Sequence, residues 1–201
     1  MNIGLDLDEV IVDISSQLVK LINKTYGTSH TMEVFQDYNF FVNDYLGTPE
    51  GNLDVANSLV KWVNDPEFIA RLDPFPCAMD VVNSFIEEGH TVHFITARRE
   101  HLHESTRQWL LDHDIPHNSL YVIGMDTCKG MIGKTLALDL YVDDYHENVI
   151  PMLKKTKAKV FLVNRPWNKI YANKKVTRIN KLGEIGRYVE EKEKTIQEGK
   201  A

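Results

Sequence analysis

Residues 4–13 read "GLDLDEVIVD", and the parsing of this stretch decides the fold. Ile3, Leu5 and Leu7 alternate as in a strand, and Val10 and Val12 continue the alternation. Asp6 and Asp8 stand in the middle of it. Side chains two apart on a strand share a face. The spacing therefore predicts two carboxylates projecting together from the carboxyl end of a buried strand. Burying like charges is costly unless something compensates them, so the rest of the chain has to supply the compensation.

Four further apolar runs read as strands, at residues 90–96, 120–123, 138–142 and 159–163. Helical patterns separate them. In "CAMDVVNSFIEEG", Val81, Val82, Phe85 and Ile86 form one stripe and Gly89 supplies a stop. Strands alternating with helices predict an α/β, Rossmann-like parallel sheet of about five strands. Helices cover both faces, with right-handed crossovers. Between residues 7 and 90 the rhythm breaks, over a length too great for one crossover. "ISSQLVKLINKTYG" and "NLDVANSLVKWVND" read as helices there, and Pro74 and Pro76 mark the return. The expected organisation is a core of residues 1–14 and 74–201, with a small helical cap at 15–73 inserted after the first strand. The charged C-terminal helix is expected to fray.

Composition bounds the partners. With 201 residues, 43% hydrophobic and 26% charged, the chain is long enough to bury a core. A net charge of -6 argues against binding long nucleic acid, which needs clustered Lys and Arg. Acids interrupt the first apolar run, so no signal peptide is read. No run reaches the ~20 apolar residues of a membrane span. Cys77 and Cys128 lack zinc-ligand spacing and read as free thiols. The expected location is the cytoplasm, and homodimer formation is left open.

A second acid pair, Asp143-Asp144, follows the apolar run "LDLYV". In open α/β sheets, sites form outside the carboxyl ends of strands, where strand order reverses. Two acid clusters at strand ends can meet over one crevice. Such carboxylates repel one another unless a cation joins them. An all-oxygen set without Cys or His suits Mg2+. Thr96 ends the run "HFIT" where a helix is expected. It fits an N-cap, and equally a hydroxyl at an anion-binding helix start. Lys129 precedes "GMIGKT", which is no phosphate loop because Cys128 stands where the first glycine belongs.

In this order, Asp6-Leu7-Asp8, Thr96, Lys129 and Asp143-Asp144 resemble the four motifs of the haloacid dehalogenase-like hydrolase superfamily. The wording of "NKTYGTSHTMEVFQDYNF", "DPFPCAMDVVNSFIEEGHTVHFITAR", "TRQWLLDHDIP" and "YVDDYHENV" is similar to the 5′(3′)-deoxyribonucleotidases, cytosolic type C, and their bacterial and phage relatives. This likeness runs to about residue 165. It implies a Mg2+-dependent phosphatase of nucleoside, above all deoxynucleoside, monophosphates, acting through an aspartyl-phosphate. It also implies Asp6 as nucleophile, Asp8 as acid/base, and Thr96 and Lys129 as phosphate and charge partners. Asp6, Asp8, Asp144 and Asp143 are the implied metal set, Asp8 by its carbonyl. Thr96, Ala97 and Arg98 would bind the phosphoryl group. Among the cap aromatics Phe35, Tyr38, Phe40, Phe41 and Tyr45, the expected base-stacking rings are Phe40 and Phe41. Lys134 competes with Lys129 for the third motif. Where many relatives have glycine after the first motif, this chain has Glu9. Two other functions share these residue types: a phosphatase of another metabolite, such as a sugar phosphate, and a receiver-like phospho-aspartate module. The second lacks an acid two residues after its phosphorylated aspartate.

Overall fold

The computed structural model describes residues 1–76 and 78–198, with side chains described up to 192 and Cys77 excepted. The expectation of a free Cys77 thiol and the last residues of the charged tail lie outside the described residues. Cys128 is a free thiol.

Six strands, all parallel, form one sheet: β1 (Asn2–Leu5), β2 (Thr91–Thr96), β3 (Ser119–Val122), β4 (Leu140–Asp143), β5 (Lys159–Val163) and β6 (Val176–Ile179). The order is β3-β2-β1-β4-β5-β6, so strand order reverses between β1 and β4. That junction is where open α/β sheets place their sites. The sequence reading predicted about five strands and missed β6. Its segment, Val-Thr-Arg-Ile, puts a cation in a four-residue edge strand and carries no apolar run.

Period-2 alternation sorts the strands onto two cores. Ile3, Leu5, Leu140, Val142, Phe161 and Val163 face one cluster, while Tyr141, Val160 and Leu162 face the other. Helices α4 (Ala78–Glu87), α5 (His103–Asp112) and α8 (Gly186–Glu198) bring Val82, Phe85, Trp109, Leu110 and Val189 to the first. On the second side lie α6 (Lys129–Thr135) and α7 (His146–Lys155), with Val149 and Met152 buried. These two helices cross closely. A Cβ on Gly130 would lie 2.6 Å from the Pro151 backbone, and one on Gly133 would lie 2.5 Å from the Met152 sulfur.

The insertion after β1 holds α1 (Ile14–Tyr26), α2 (Pro49–Val63) and α3 (Pro66–Ala70), with two short 3-10 turns between the first two helices. Each helix is capped by its own sequence. Asp13 accepts from the Ser16 N–H, Thr48 from Gly51 and Asp65 from Glu67. Gly27 ends α1 in a left-handed conformation, φ 67°. The chain leaves and re-enters the core side by side. Asp13 N–H donates to the Asp73 carbonyl at 3.0 Å, and Phe75 N–H to Ile11 at 2.8 Å. Phe35, Tyr45, Val55 and Leu59 of the insertion belong to the same buried cluster as Ile3 and Leu5. No helix among the described residues is long and apolar enough to cross a membrane.

Candidate active site

Strand β1 ends at Leu5, one residue before the first acid. The chain then folds on itself: the Leu7 carbonyl accepts from Val10, Ile11 and Val12 N–H groups at 3.2, 2.8 and 2.9 Å. Asp6 and Asp8 therefore do not extend one strand side by side. Shared-face spacing holds only while the strand lasts, and here a turn replaces it. Asp6 keeps the strand's direction and points to the side of the sheet occupied by α6. Asp8 is carried by the turn toward β2.

Asp6, Asp143 and Asp144 form one buried group whose ligand-capable oxygens lie within 4.8 Å of one another. Lys129, at the start of α6, reaches into it. Its ammonium is 2.8 Å from Asp6 Oδ2 and 2.9 Å from Asp143 Oδ2, and the residue is only 2% exposed. Lys134 sits on the exposed side of the same helix. The Tyr141 hydroxyl also donates to Asp143 Oδ2, while Tyr145 N–H and Asn148 Nδ2 donate to Oδ1 at 2.8 and 3.3 Å. Asp143 is thus saturated by protein donors. Asp144 has one carboxylate donor, Trp167 Nε1 to Oδ2 at 2.9 Å, and its carbonyl accepts from Asn168 Nδ2 at 2.6 Å.

Three carboxylates against one ammonium leave an excess of two negative charges. Burial and mutual repulsion both oppose ionisation of these carboxyls. Burial drives the Asp6 carboxyl up to about 7, with Lys129 opposing and Asp143 and Asp8 adding to the rise. Burial, then Asp143, Asp6 and Glu9, raise Asp144 well above the carboxylate range. Burial alone would lower Lys129, yet Asp143 and Asp6 carry it above the usual lysine value. A hard divalent cation matches both the charge and the oxygen donors.

Asp8 lies beside this group, not in it. Its two oxygens take a fork from Arg98, Nε to Oδ2 at 3.0 Å and Nη2 to Oδ1 at 2.6 Å. Arg98 Nη1 continues to Thr106 on α5 at 3.0 Å. Arg98, expected at the phosphoryl group, has its guanidinium committed to Asp8 and Thr106. Thr96 ends β2, buried, with its hydroxyl oxygen accepting from Arg98 N–H at 3.3 Å. It caps no helix, because Ala97–Arg99 run as a loop and a 3-10 turn at Glu100–Leu102 intervenes before α5. Ala97 lies in that loop, half-buried.

Of the cap aromatics, Phe40 packs on Phe35 with centroids 6.0 Å apart, and Phe41 is 52% exposed. Another cap ring stands over the carboxylates. Tyr38 stacks on Tyr145 at 3.9 Å and 13°, and meets Trp167 edge-on at 6.3 Å. Its ring is about a third exposed, while its hydroxyl is pushed well above its usual range by burial and then by Asp144, Asp6, Asp143 and Asp8. Sequence reading named Tyr38 among the cap aromatics but did not single it out. Trp167, Tyr145 and Asn168 were missed as site residues altogether. The clue available was "NRPWNK" directly after an apolar run, in the same position relative to β5 that Asp143-Asp144 has to β4.

Glu9 adopts φ 62°, a left-handed conformation that costs a non-glycine residue about 1–2 kcal/mol. Its buried carboxylate pairs with Arg165, Nε to Oε2 at 2.7 Å.

Known proteins are similar to this chain in sequence and in fold. Residues 1–187 match the model of the family described as 5′ nucleotidase, deoxy (pyrimidine), cytosolic type C. A nucleotidase of Clostridium acetobutylicum is 25% identical over 185 residues, covering 92% of this chain and 91% of its own. Among solved structures, L-2-haloacid dehalogenase from Xanthobacter autotrophicus superposes with TM-score 0.62 at 10% identity, over 94% of this chain and 98% of that one. A haloacid dehalogenase-like hydrolase from Streptococcus pneumoniae gives 0.57 at 12% identity, over 93% and 97%. At these identities the structural likeness establishes the fold.

Proposed function

The chain belongs to the cytosolic type C 5′-nucleotidase family of haloacid dehalogenase-like phosphoric monoester hydrolases, and from that premise we propose that it hydrolyses nucleoside monophosphates, deoxynucleotides above all, with Mg2+. The observation that carries the reading is the buried Asp6–Lys129–Asp143 group with Asp144 beside it. The group sits where strand order reverses, between the ends of β1 and β4, with three carboxyls around one ammonium.

Asp6 attacks phosphorus and the ester oxygen leaves, giving an aspartyl-phosphate that water then cleaves. Leu7 N–H holds Asp6 Oδ1 at 2.8 Å and Lys129 holds Oδ2, which fixes the rotamer for in-line approach. Lys129 also offsets charge on the incoming phosphoryl oxygens. The Thr96 hydroxyl and the N–H groups after β2 hold those oxygens. Asp8 protonates the leaving oxygen and later takes a proton from water. Each Asp8 oxygen keeps a second lone pair beyond its Arg98 bond, so the fork orients the carboxyl while leaving a site for that proton. Asp144, Asp6 and the Asp8 carbonyl would hold the Mg2+, which when bound would offset the carboxylates' charge and supply Lewis acidity at the phosphoryl group. Asp143 serves as the anchor of Lys129.

The helical insertion, residues 15–73, acts as the specificity cap. It shields the covalent intermediate from bulk water. Tyr38 with Tyr145 offers a flat aromatic surface for a base beside the phosphoryl site. The free thiol at Cys128 and the small anionic substrate fit a cytoplasmic enzyme. A phosphomonoester panel with Mg2+ tests the substrate class. Deoxynucleoside monophosphates are expected to exceed sugar phosphates in kcat/KM by about 10-fold or more, a difference the stacking energy of one base supplies. Equal turnover of dTMP, dUMP and sugar phosphates overturns the nucleotide assignment.

A further inference from the structure

We propose that Glu9 and Arg165 form a positioning pair that fixes the cap stem and Asp144 relative to each other; the proposal rests on the phosphohydrolase reading above. The pair joins three parts of the site. Glu9 Oε1 accepts from Ser15 N–H at 2.7 Å, in the first turn of α1, where the insertion begins. Arg165 donates to Glu9 Oε2 from Nε, and to the Glu9 carbonyl from Nη2 at 2.5 Å, so it grips side chain and backbone of the turn after Asp8. The same guanidinium lies 4.9 Å from the Phe75 ring centroid, and Phe75 is hydrogen-bonded to Ile11 on the returning arm of the stem. Two and three residues further, Trp167 and Asn168 hold the carboxylate and carbonyl of Asp144. They belong to one short 3-10 turn, closed on itself by Asn168 Oδ1 accepting from Arg165 N–H at 3.2 Å. Movement of either stem arm therefore pulls on the turn that orients Asp144.

A residue that only turned the chain at φ 62° would be cheapest as glycine. Glutamate there is strained, and its carboxylate adds to the negative field on Asp144. Arg165 cancels that charge while making the tie, so position is set without worsening the charge excess.

The test uses the full chain with the variants Glu9→Gly, Arg165→Met, Arg165→Lys and the Gly/Met double. Glu9→Gly keeps the backbone conformation but leaves Arg165 and the Ser15 N–H without the carboxylate, so urea unfolding of each variant is measured beside the titration to show that folded protein is compared. Mg2+ is titrated alone and followed by Trp167 fluorescence, with Trp167→Phe identifying the signal. Turnover of p-nitrophenyl phosphate is measured in parallel. Each single variant is expected to raise the Mg2+ midpoint and lower kcat by about 10-fold. The double is expected to be no worse than the worse single, the mark of one coupled unit, and Arg165→Lys to recover part of the loss. The proposal is overturned by an unmoved Mg2+ midpoint in Glu9→Gly, by losses that multiply in the double, or by wild-type Trp167 fluorescence that ignores Mg2+. Wild-type protein that binds Mg2+ but turns over no phosphomonoester sinks the functional reading, while the titration still decides the pair.

Discussion

Below the crevice, the ends of β1 and β4 hold Asp6, Asp143 and Asp144 around Lys129, all nearly sealed from solvent. Above it, the cap meets the core through Tyr38 lying on Tyr145, with Tyr38 still 36% exposed. The floor is fixed by charges that cannot be left unpaired, so its geometry exists before substrate arrives. The roof is anchored through Phe35, Tyr45, Val55 and Leu59 in the common buried cluster, and at the crevice it presents the Tyr38–Tyr145 ring contact, worth roughly 0.5–1.5 kcal/mol beyond burial. The floor holds the charged groups, and the roof the partly exposed ring.

The largest effects should come from breaking the floor. Asp6→Asn is expected to cost about 10⁴-fold or more in kcat, since the nucleophile itself is lost. Lys129→Met should cost about 10²–10³-fold and, by leaving buried Asp6 and Asp143 unpaired, about 3–5 kcal/mol in stability without Mg2+. Steady-state kinetics and urea unfolding read both. Lys134→Met, on the exposed side of α6, should change neither.

Breaking the roof should divide the kinetic constants. Tyr38→Ala is expected to weaken a nucleotide by about 1–3 kcal/mol through lost stacking, raising KM while leaving p-nitrophenyl phosphate nearly unchanged. If both substrates suffer equally, Tyr38 belongs to the floor's chemistry and the contrast is drawn in the wrong place. Phe41→Ala serves as the comparison, with a smaller change expected from its exposed ring.

An indirect disturbance of the floor should be milder. A Cβ at Gly130 meets Pro151 backbone, which cannot step aside as a flexible side chain could. Gly130→Ala should push the start of α6 outward, destabilise by about 1–3 kcal/mol, and reduce kcat as Lys129 shifts. Thermal unfolding and kinetics of the same sample separate the two.

The buried carboxyls also set the pH dependence of the metal-free protein. Asp6, Glu9 and Asp144 all have folded pKa values raised above their unfolded ones, by burial first. Their stabilising contribution is present below the unfolded value, near 4, and is lost as pH rises, through about 7 for Asp6. Without metal, Tm should therefore fall between pH 4 and 7, and Mg2+ should flatten that slope. A metal-free Tm that rises over this window contradicts the charge account.

Much of the floor was legible because its residue types are rare in buried strands. Asp6, Asp143 and Asp144 announce themselves as acids at the ends of apolar runs. The turn after Leu7 was not legible: nothing in the alternation of Val10 and Val12 shows that Asp8 swings away to Arg98. Nor could spacing show that Glu9 adopts a glycine-like conformation or that a residue 156 positions away holds it. Between residues 35 and 45, five aromatics look alike in sequence. Whether a ring enters the common core, like Phe35 and Tyr45, or faces the carboxylates, like Tyr38, depends on packing between 3-10 turns that have no periodic signature.

The claim that Asp6 is the attacking group on a prebuilt floor is tested most directly by trapping its phosphate. Asp8→Asn should still form the aspartyl-phosphate from p-nitrophenyl phosphate, whose leaving group needs no proton, but hydrolyse it slowly. Acid-quenched Asp8→Asn incubated with p-nitrophenyl phosphate and Mg2+ is then predicted to carry one phosphoryl group on the peptide containing Asp6, absent in Asp6→Asn. Full wild-type turnover in Asp6→Asn, or no phosphorylated peptide while Asp8→Asn still releases a burst of p-nitrophenol, would contradict the account.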